Sequence, residues 1–330
     1  MKQHTRRELL GGLAAAGIVS ALPCASSAQS IAFPTKPILM VVPFGAGTST
    51  DVLSRLVGQK MSQDMGQQVV IENRPGAGGT IGSNAVAKAS PDGYTLCMGS
   101  IASHSVNQSL MPNIPYDVLR DFTAISLVSV APNLMVVHQS VSAKTISELV
   151  ELAKKTSGGL SFASAGNGTS SQLAGELLRM RTGAPLTHVP YKSGAQAVSD
   201  VVAGHVPMLI YQIPAVLPHV QAGSLRAIAT TAKARLAQAP DVPTAEEQGL
   251  RDFDVSAWMG LFGPANMPEP VVARIHGSLM KALSAPDLRP QLIAQGLEPV
   301  GNSPAEFRKF LETDIAKWAE VVRVSGAKVD

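Results

Sequence analysis

The chain has 330 residues and a formal net charge of +3. With no basic run and no aromatic-basic stripe, this balance speaks against a nucleic-acid partner. Residues 1–28 form a signal peptide: a basic start (Lys2, Arg6, Arg7), an apolar Leu9-to-Leu22 stretch too short for a stable span, and a small-residue site at Ser26-Ser27-Ala28. Its removal leaves 24 basic and 23 acidic residues, net +1. About 300 remaining residues exceed one comfortable core and predict two lobes.

Thr5-Arg6-Arg7-Glu8-Leu9-Leu10 looks like a twin-arginine export signal, with an ordinary secretory leader as the alternative. Pro23 before Cys24 occupies the place of the small residue that lipidation requires, which argues against a lipid anchor. The other cysteine, Cys97, lies in an apolar run and reads as a buried strand thiol. No later segment is apolar enough to span a membrane, so a soluble exported protein is expected.

Strands and helices alternate along the chain. A strand over 38–42 leads to a helix over 51–65 stopped by Gly66, then a strand over 68–72, a helix over 81–88 and a strand over 94–98. A second set begins near Asn133 with a strand over 134–137 and a helix opened by the capping box Thr145-Ile146-Ser147-Glu148. A strand over 160–164, a helix over 170–181, a strand over 187–190 and a helix over 195–203 follow. A strand over 206–211, a helix over 215–221 and a strand over 225–230 complete this set. The Pro-rich stretch 233–250 reads as loop, with Thr244-Ala245-Glu246-Glu247 as a second capping box. The tail reads as two or three helices, the last opened by Ser303-Pro304-Ala305-Glu306 and stopped by Gly326. Such alternation predicts an α/β fold whose sheets are covered on both faces.

Two strand-to-helix turns, 121 residues apart, carry the chemistry: Gly45-Ala46-Gly47-Thr48-Ser49-Thr50 and Ser164-Ala165-Gly166-Asn167-Gly168-Thr169. Free N–H groups and hydroxyls at a helix N-terminus favour a carboxylate or phosphate. The plain alternative is a tight connection without a ligand. The first turn misses the dinucleotide fingerprint because Thr50 stands at its third glycine position and no acidic strand end follows about 20 residues on. A third hydroxyl-rich turn after the 94–98 strand offers Ser100 and His104 as pocket residues, since ligands sit at strand C-terminal edges. No G-x-S-x-G elbow is present, and His138, His188, His205, His219 and His276 lack metal spacing. No cofactor, metal or catalytic residue is assigned.

Several ordered blocks carry a family resemblance. Val42-Pro43-Phe44-Gly45-Ala46-Gly47-Thr48-Ser49-Thr50-Asp51 resembles the V-P-F-x-A-G-G-x-x-D opening of the Bug-type periplasmic receptors of tripartite tricarboxylate transporters. Val70 to Gly79, Pro91 to Leu96, Ser164 to Thr169, Val189 to Lys192, Pro240 to Thr244 and Trp258 to Pro264 match in the same order. The resemblance implies a type II-like clamshell of two mixed sheets flanked by helices. Lobe 1 would be 30–130 plus 253–330 and lobe 2 would be 131–252. It also implies a monomeric periplasmic receptor that passes a small carboxylate to a membrane permease or serves a sensor. In that family, backbone amides, hydroxyls and ordered water hold the carboxylate. The matching positions are Phe44 to Thr50 and Ser164 to Thr169, with Tyr211 and Gln212 as selectivity residues. The chain departs at Thr48, where the family has a second glycine, and a positive φ there would be strained. Pro207 is a second departure, standing where the family often has a polar residue. An exported α/β hydrolase and an interaction protein without a ligand are the alternatives.

Overall fold

The computed structural model describes residues 33–166 and 168–325. The signal-peptide, twin-arginine and Cys24 readings, Asn167 and Gly326 lie outside these residues.

In the first half the elements are β1 (Ile38–Val42), α1 (Ser49–Met65), β2 (Val69–Asn73), α2 (Thr80–Ala87), β3 (Thr95–Ser100), α3 (Asn107–Leu110), α4 (Val118–Asp121) and β4 (Phe122–Ala131). The middle of the chain gives β5 (Asn133–His138), α5 (Ile146–Lys155), β6 (Leu160–Ser164), α6 (Ser170–Thr182), β7 (Leu186–Pro190), α7 (Gly194–Val202), β8 (Met208–Gln212), α8 (Ile213–Gln221) and β9 (Leu225–Thr230). The tail gives β10 (Ala257–Pro264), α9 (Glu269–Leu283), α10 (Leu288–Ala294), β11 (Glu298–Pro299) and α11 (Pro304–Ser325).

Two mixed sheets result, ordered β11-β4-β10-β3-β1-β2 and β7-β6-β8-β5-β9. In each, a parallel trio (β2-β1-β3 and β7-β6-β8) meets an antiparallel strand from elsewhere in the chain, β10 or β5. The architecture is the expected two-lobed α/β clamshell. The chain passes between the sheets at Pro132 and again between β9 and β10. These passages are braced together: Asn133 N–H donates to Thr231 Oγ1 at 3.0 Å, while Asn133 Nδ2 and Thr231 Oγ1 both donate to Val255 O, at 2.7 and 3.0 Å.

The structure gives detail to three stretches. The capping box at 244–247 forms reciprocally, Thr244 N–H to Glu247 Oε2 at 2.8 Å and Glu247 N–H to Thr244 Oγ1 at 3.0 Å, yet it closes a turn and no helix follows. The hydroxyl-rich turn after β3 is π-helical over Ala102–Val106. The tail contributes β10, a central strand of the first sheet, as well as helices.

A continuous core joins the lobes, running from Val41, Cys97 and Phe262 through Trp258, Phe307 and Trp318 to Leu173, Leu177, Phe162 and Met208. Each large side chain buried there contributes roughly 1.5–3 kcal/mol. Burial raises the Cys97 thiol to about 12, so it stays protonated and inert.

Outside the core, Asp64 ties α1 to α9. Its carboxylate accepts from Lys281 Nζ at 2.8 Å and Arg274 Nη1 at 2.5 Å, and its carbonyl accepts from Arg274 Nη2 at 2.9 Å. Lys281, then Arg274, hold the Asp64 pKa below its ordinary value. A depressed carboxylate pKa gives stability that is present above about 4 and lost as pH falls. Asp64→Ala is expected to cost about 1–2 kcal/mol, the exposed Lys281 adding little. Chemical denaturation at neutral pH checks this, and a cost near zero would remove the clamp.

Candidate functional site

The first turn follows β1, the middle strand of its parallel trio. Gly47 takes the left-handed conformation, φ +80, while Thr48 is extended at φ −71, ψ 159. The strain expected at Thr48 therefore does not arise, because glycine already occupies the left-handed position. Thr48 instead caps α1: its Oγ1 accepts from Asp51 N–H at 3.4 Å and donates to Gly45 O at 2.9 Å. Gly47 N–H donates to Asp51 Oδ2 at 2.9 Å. Asp51 is buried and also bound by Arg55 Nη2 and Asn73 Nδ2, both at 2.9 Å. Burial pushes its pKa up, but these donors outweigh that and hold it below the ordinary value. The Ser49 and Thr50 amides, in the first turn of α1, face out of the helix end.

The second turn, after β6, repeats this geometry. Gly168 has φ +75, and Thr169 at φ −78, ψ 155 caps α6 by accepting from Gln172 N–H at 3.4 Å and donating to Gly166 O at 2.7 Å. Gly168 N–H donates to Gln172 Oε1 at 2.6 Å. Gln172 thus stands where Asp51 stands in the first turn, so one helix start carries a neutralised carboxylate and the other a neutral amide. Ser164 Oγ lies 2.6 Å from His188 Nε2 and 3.1 Å from Gly166 N. His188 stacks on Phe162 with ring centroids 5.0 Å apart.

The lobes meet beside these turns. Ser49 Oγ donates to Gln212 Oε1 at 3.5 Å, and a Cβ placed on Gly168 would come within 2.8 Å of Leu110 in α3. Phe44 turns its ring onto Gly79, Ala46 is exposed at the turn's tip and Ala165 is half-buried. Tyr211 packs its hydroxyl against Gly194 at the start of α7, where a Cβ would lie 1.8 Å from it.

Ser100 and His104 fall elsewhere. Ser100 is buried at the end of β3, its N–H bound to Ser103 Oγ at 3.1 Å. The His104 ring is fully buried, stacked 4.1 Å from Phe262 and bonded through Nδ1 to Ser103 Oγ at 2.9 Å. The ring's apolar faces made it a core residue, and no ligand could touch it in this arrangement. Three residues not assigned a role from sequence stand at the second turn: Gln172, His188 and Ser171, whose hydroxyl is buried without a described partner. The 121-residue offset that pairs Thr48 with Thr169 also pairs Asp51 with Gln172, and that was the available signal.

A recess of about 410 Å³ opens on the hinge side, lined by Arg181, Lys233, Trp258, Asp314 and Lys317 among others. Its buried carboxylate, Asp314, is bonded through both oxygens to two indoles, a structural role in docking α11.

Residues 53–326 match the TctC family, described as "Tripartite tricarboxylate transporter family receptor". The chain belongs to this receptor family. It is similar to protein BugT of Bordetella pertussis, with 36% identity over 96% of this chain and 98% of BugT. Among solved structures it resembles R. palustris Rpa4515 with adipate, at 31% identity and TM-score 0.76 over 90% of this chain and 100% of the other. MatC from Rhodopseudomonas palustris, with bound malate, is 34% identical with TM-score 0.72 over 88% of this chain and 100% of the other. Family receptors bind solutes, and among the described residues no helix is long and apolar enough to cross a membrane.

Proposed function

We propose that this protein is a monomeric, non-enzymatic periplasmic receptor that closes over a small carboxylate and delivers it to tripartite permease subunits. One observation carries the reading: two helix starts, α1 and α6, are capped identically by Thr48 and Thr169, and the Ser49–Gln212 contact brings the first of them against the end of β8 in the second sheet. The proposed ligand loops are Phe44 to Thr50 and Ser164 to Thr169, including Asn167, with Tyr211 and Gln212 at the edge. His104, fully buried between aromatic rings, and Ser100, whose turn packs around it, are left out. The helix-start amides, and the hydroxyls not already spent inside the turns, would donate to the anion, each charge-assisted bond contributing roughly 1.5–3 kcal/mol. Several such bonds support micromolar affinity, about −8 kcal/mol, after ordering costs. Only the closed form lets both loops donate to one anion, so ligand favours closure. The acids bound by Rpa4515 and MatC support the ligand class.

Calorimetry against di- and tricarboxylates, amino acids and aromatic acids tests the reading, adipate and malate included. At least one acid should bind and raise the melting temperature; a panel with no binder would sink it. Replacing both Thr50 and Thr169 by Val should weaken that acid about tenfold or more, Thr50 by losing a donor and Thr169, whose hydroxyl already donates to Gly166 O, by loosening the loop. Losing the Thr169 cap should itself cost about 1 kcal/mol of stability. Unchanged affinity would move the site elsewhere. The Ser164–His188 contact keeps a hydrolase as the second reading, and ester turnover abolished by Ser164→Ala would favour it.

A further inference from the structure

The hydrogen-bond directions around His188 follow from a single backbone amide. Gly168 N–H can only donate, so the Gln172 atom 2.6 Å away is the carbonyl oxygen. That turns the Gln172 NH2 toward His188 Nδ1, a longer contact of 3.4 Å. An amide NH2 only donates, so Nδ1 accepts and the imidazole proton sits on Nε2. Nε2–H then donates to Ser164 Oγ at 2.6 Å. Ser164 also accepts from Gly166 N–H at 3.1 Å, and its own proton goes to Gly166 O, 3.3 Å away. The groups facing the ring from β6 and α6 are Phe162, Ser164 and Gln172, all uncharged. One turn further along α6, Glu176 is paired with Arg179 at 2.9 Å. Burial alone lowers the His188 pKa, which favours the neutral ring.

We propose that His188 is the positioning residue of the lobe-2 ligand loop: as its Nε2–H tautomer it fixes Ser164 as a hydrogen-bond acceptor and locks the loop around Gly166 and Gly168. This deepens the carboxylate reading and rests on it. The Gly166 and Gly168 amides and the Ser164 and Thr169 hydroxyls are engaged inside the loop, so a carboxylate meets the helix-start amides of Ser170 and Ser171. The direction is opposite to that of a nucleophile and its base, because Ser164 accepts a hydrogen bond from His188 Nε2–H and meets no base there to take its own proton. The first turn has no such relay, since Asp51 occupies the place of Gln172 and is held by Arg55 and Asn73.

Long-range proton–nitrogen NMR of the purified, ligand-free protein tests the direction directly. Wild type should show His188 as the Nε2–H tautomer, titrating below 6.5. Gln172→Glu places an acceptor opposite Nδ1 and should move the proton to Nδ1 or raise the titration midpoint above 6.5. An Nδ1–H tautomer in wild type, or no change in Gln172→Glu, would overturn the proposal. Malate and adipate titrations then test the positioning role. His188→Gln, which keeps an N–H donor toward Ser164, should stay within about threefold of wild type, and His188→Leu should lose about tenfold, one net hydrogen bond. Equal affinities in both variants would also overturn it. If the tautomer behaves as expected and no acid binds wild type, the hydrogen-bond direction stands and the carboxylate reading falls.

Discussion

Asp314→Ala is expected to destabilise the protein by about 3–5 kcal/mol, the cost of leaving two buried indole N–H groups without an acceptor. Asp314 sits midway along α11, almost wholly buried, and accepts from two indoles: Trp258 Nε1 on β10 at 2.9 Å and Trp318 Nε1 at 3.0 Å. Both tryptophans are 1% exposed, so in the native packing their N–H groups depend on this carboxylate. The same contact docks α11 on the central strand of the first sheet, next to the aromatic group of Trp258, Phe307 and Phe262. Burial raises the Asp314 pKa above its ordinary value, against the indoles and Lys317, which lower it. A raised carboxylate pKa means that the native state holds the proton more tightly than the unfolded state. Stability from this group is therefore full below about pH 4 and declines as pH rises through the folded value. Asp314→Asn keeps one carbonyl acceptor and presents an NH2 to the other indole, so it should lie between wild type and alanine. Urea unfolding at pH 7 measures all three, and a loss under about 1 kcal/mol in the alanine variant would mean that the indoles do not depend on this carboxylate.

Local patterning made most elements legible in the sequence. The capping residues Thr145 and Ser303 mark real helix starts, and Gly66 stops α1 with φ +65. What escaped was long-range pairing. β4 carries Ser126 and Ser129 among its apolar residues, and both hydroxyls are buried and bonded to the tail, at Asn302 O and Glu298 O. Before the fold is known, such serines read as loop. β10 holds Gly260 and Gly263, which lower strand propensity, yet Gly260 makes room for Phe307, whose ring would lie 2.2 Å from an added Cβ. At the site, the two Gly-x-Gly turns were visible because each is contiguous. The His188–Gln172 relay joins β7 to α6 and becomes visible only once the sheet registers Phe162 beside His188. Thr48 shows the reverse case: its apparent departure from the glycine pattern is the same cap that Thr169 supplies in the other lobe.

His104→Phe is expected to make the protein markedly less acid-sensitive while leaving carboxylate affinity unchanged. The His104 ring lies 4.1 Å from Phe262 in a stack and 4.7 Å from Phe122 edge-on, and its Nε2 is buried without a described partner. Such surroundings offer nothing to a charged ring, and burial pulls its pKa from 6.5 down to about 3. With the folded value depressed, the unfolded chain takes up a proton first as pH falls. Stability from this group is complete above 6.5 and is lost progressively down to the folded value. At pH 4.5, two units below the unfolded value, the loss is about 3 kcal/mol. Phenylalanine keeps the ring contacts and removes the titration, while Ser103 retains its bond with Ser100 N–H. Urea unfolding of both proteins at pH 7.5 and 4.5 isolates this difference, because Asp64 and the other shifted carboxylates contribute alike to each. Equal losses in the two proteins would acquit His104. A large fall in carboxylate affinity in His104→Phe at neutral pH would instead return this histidine to the ligand site.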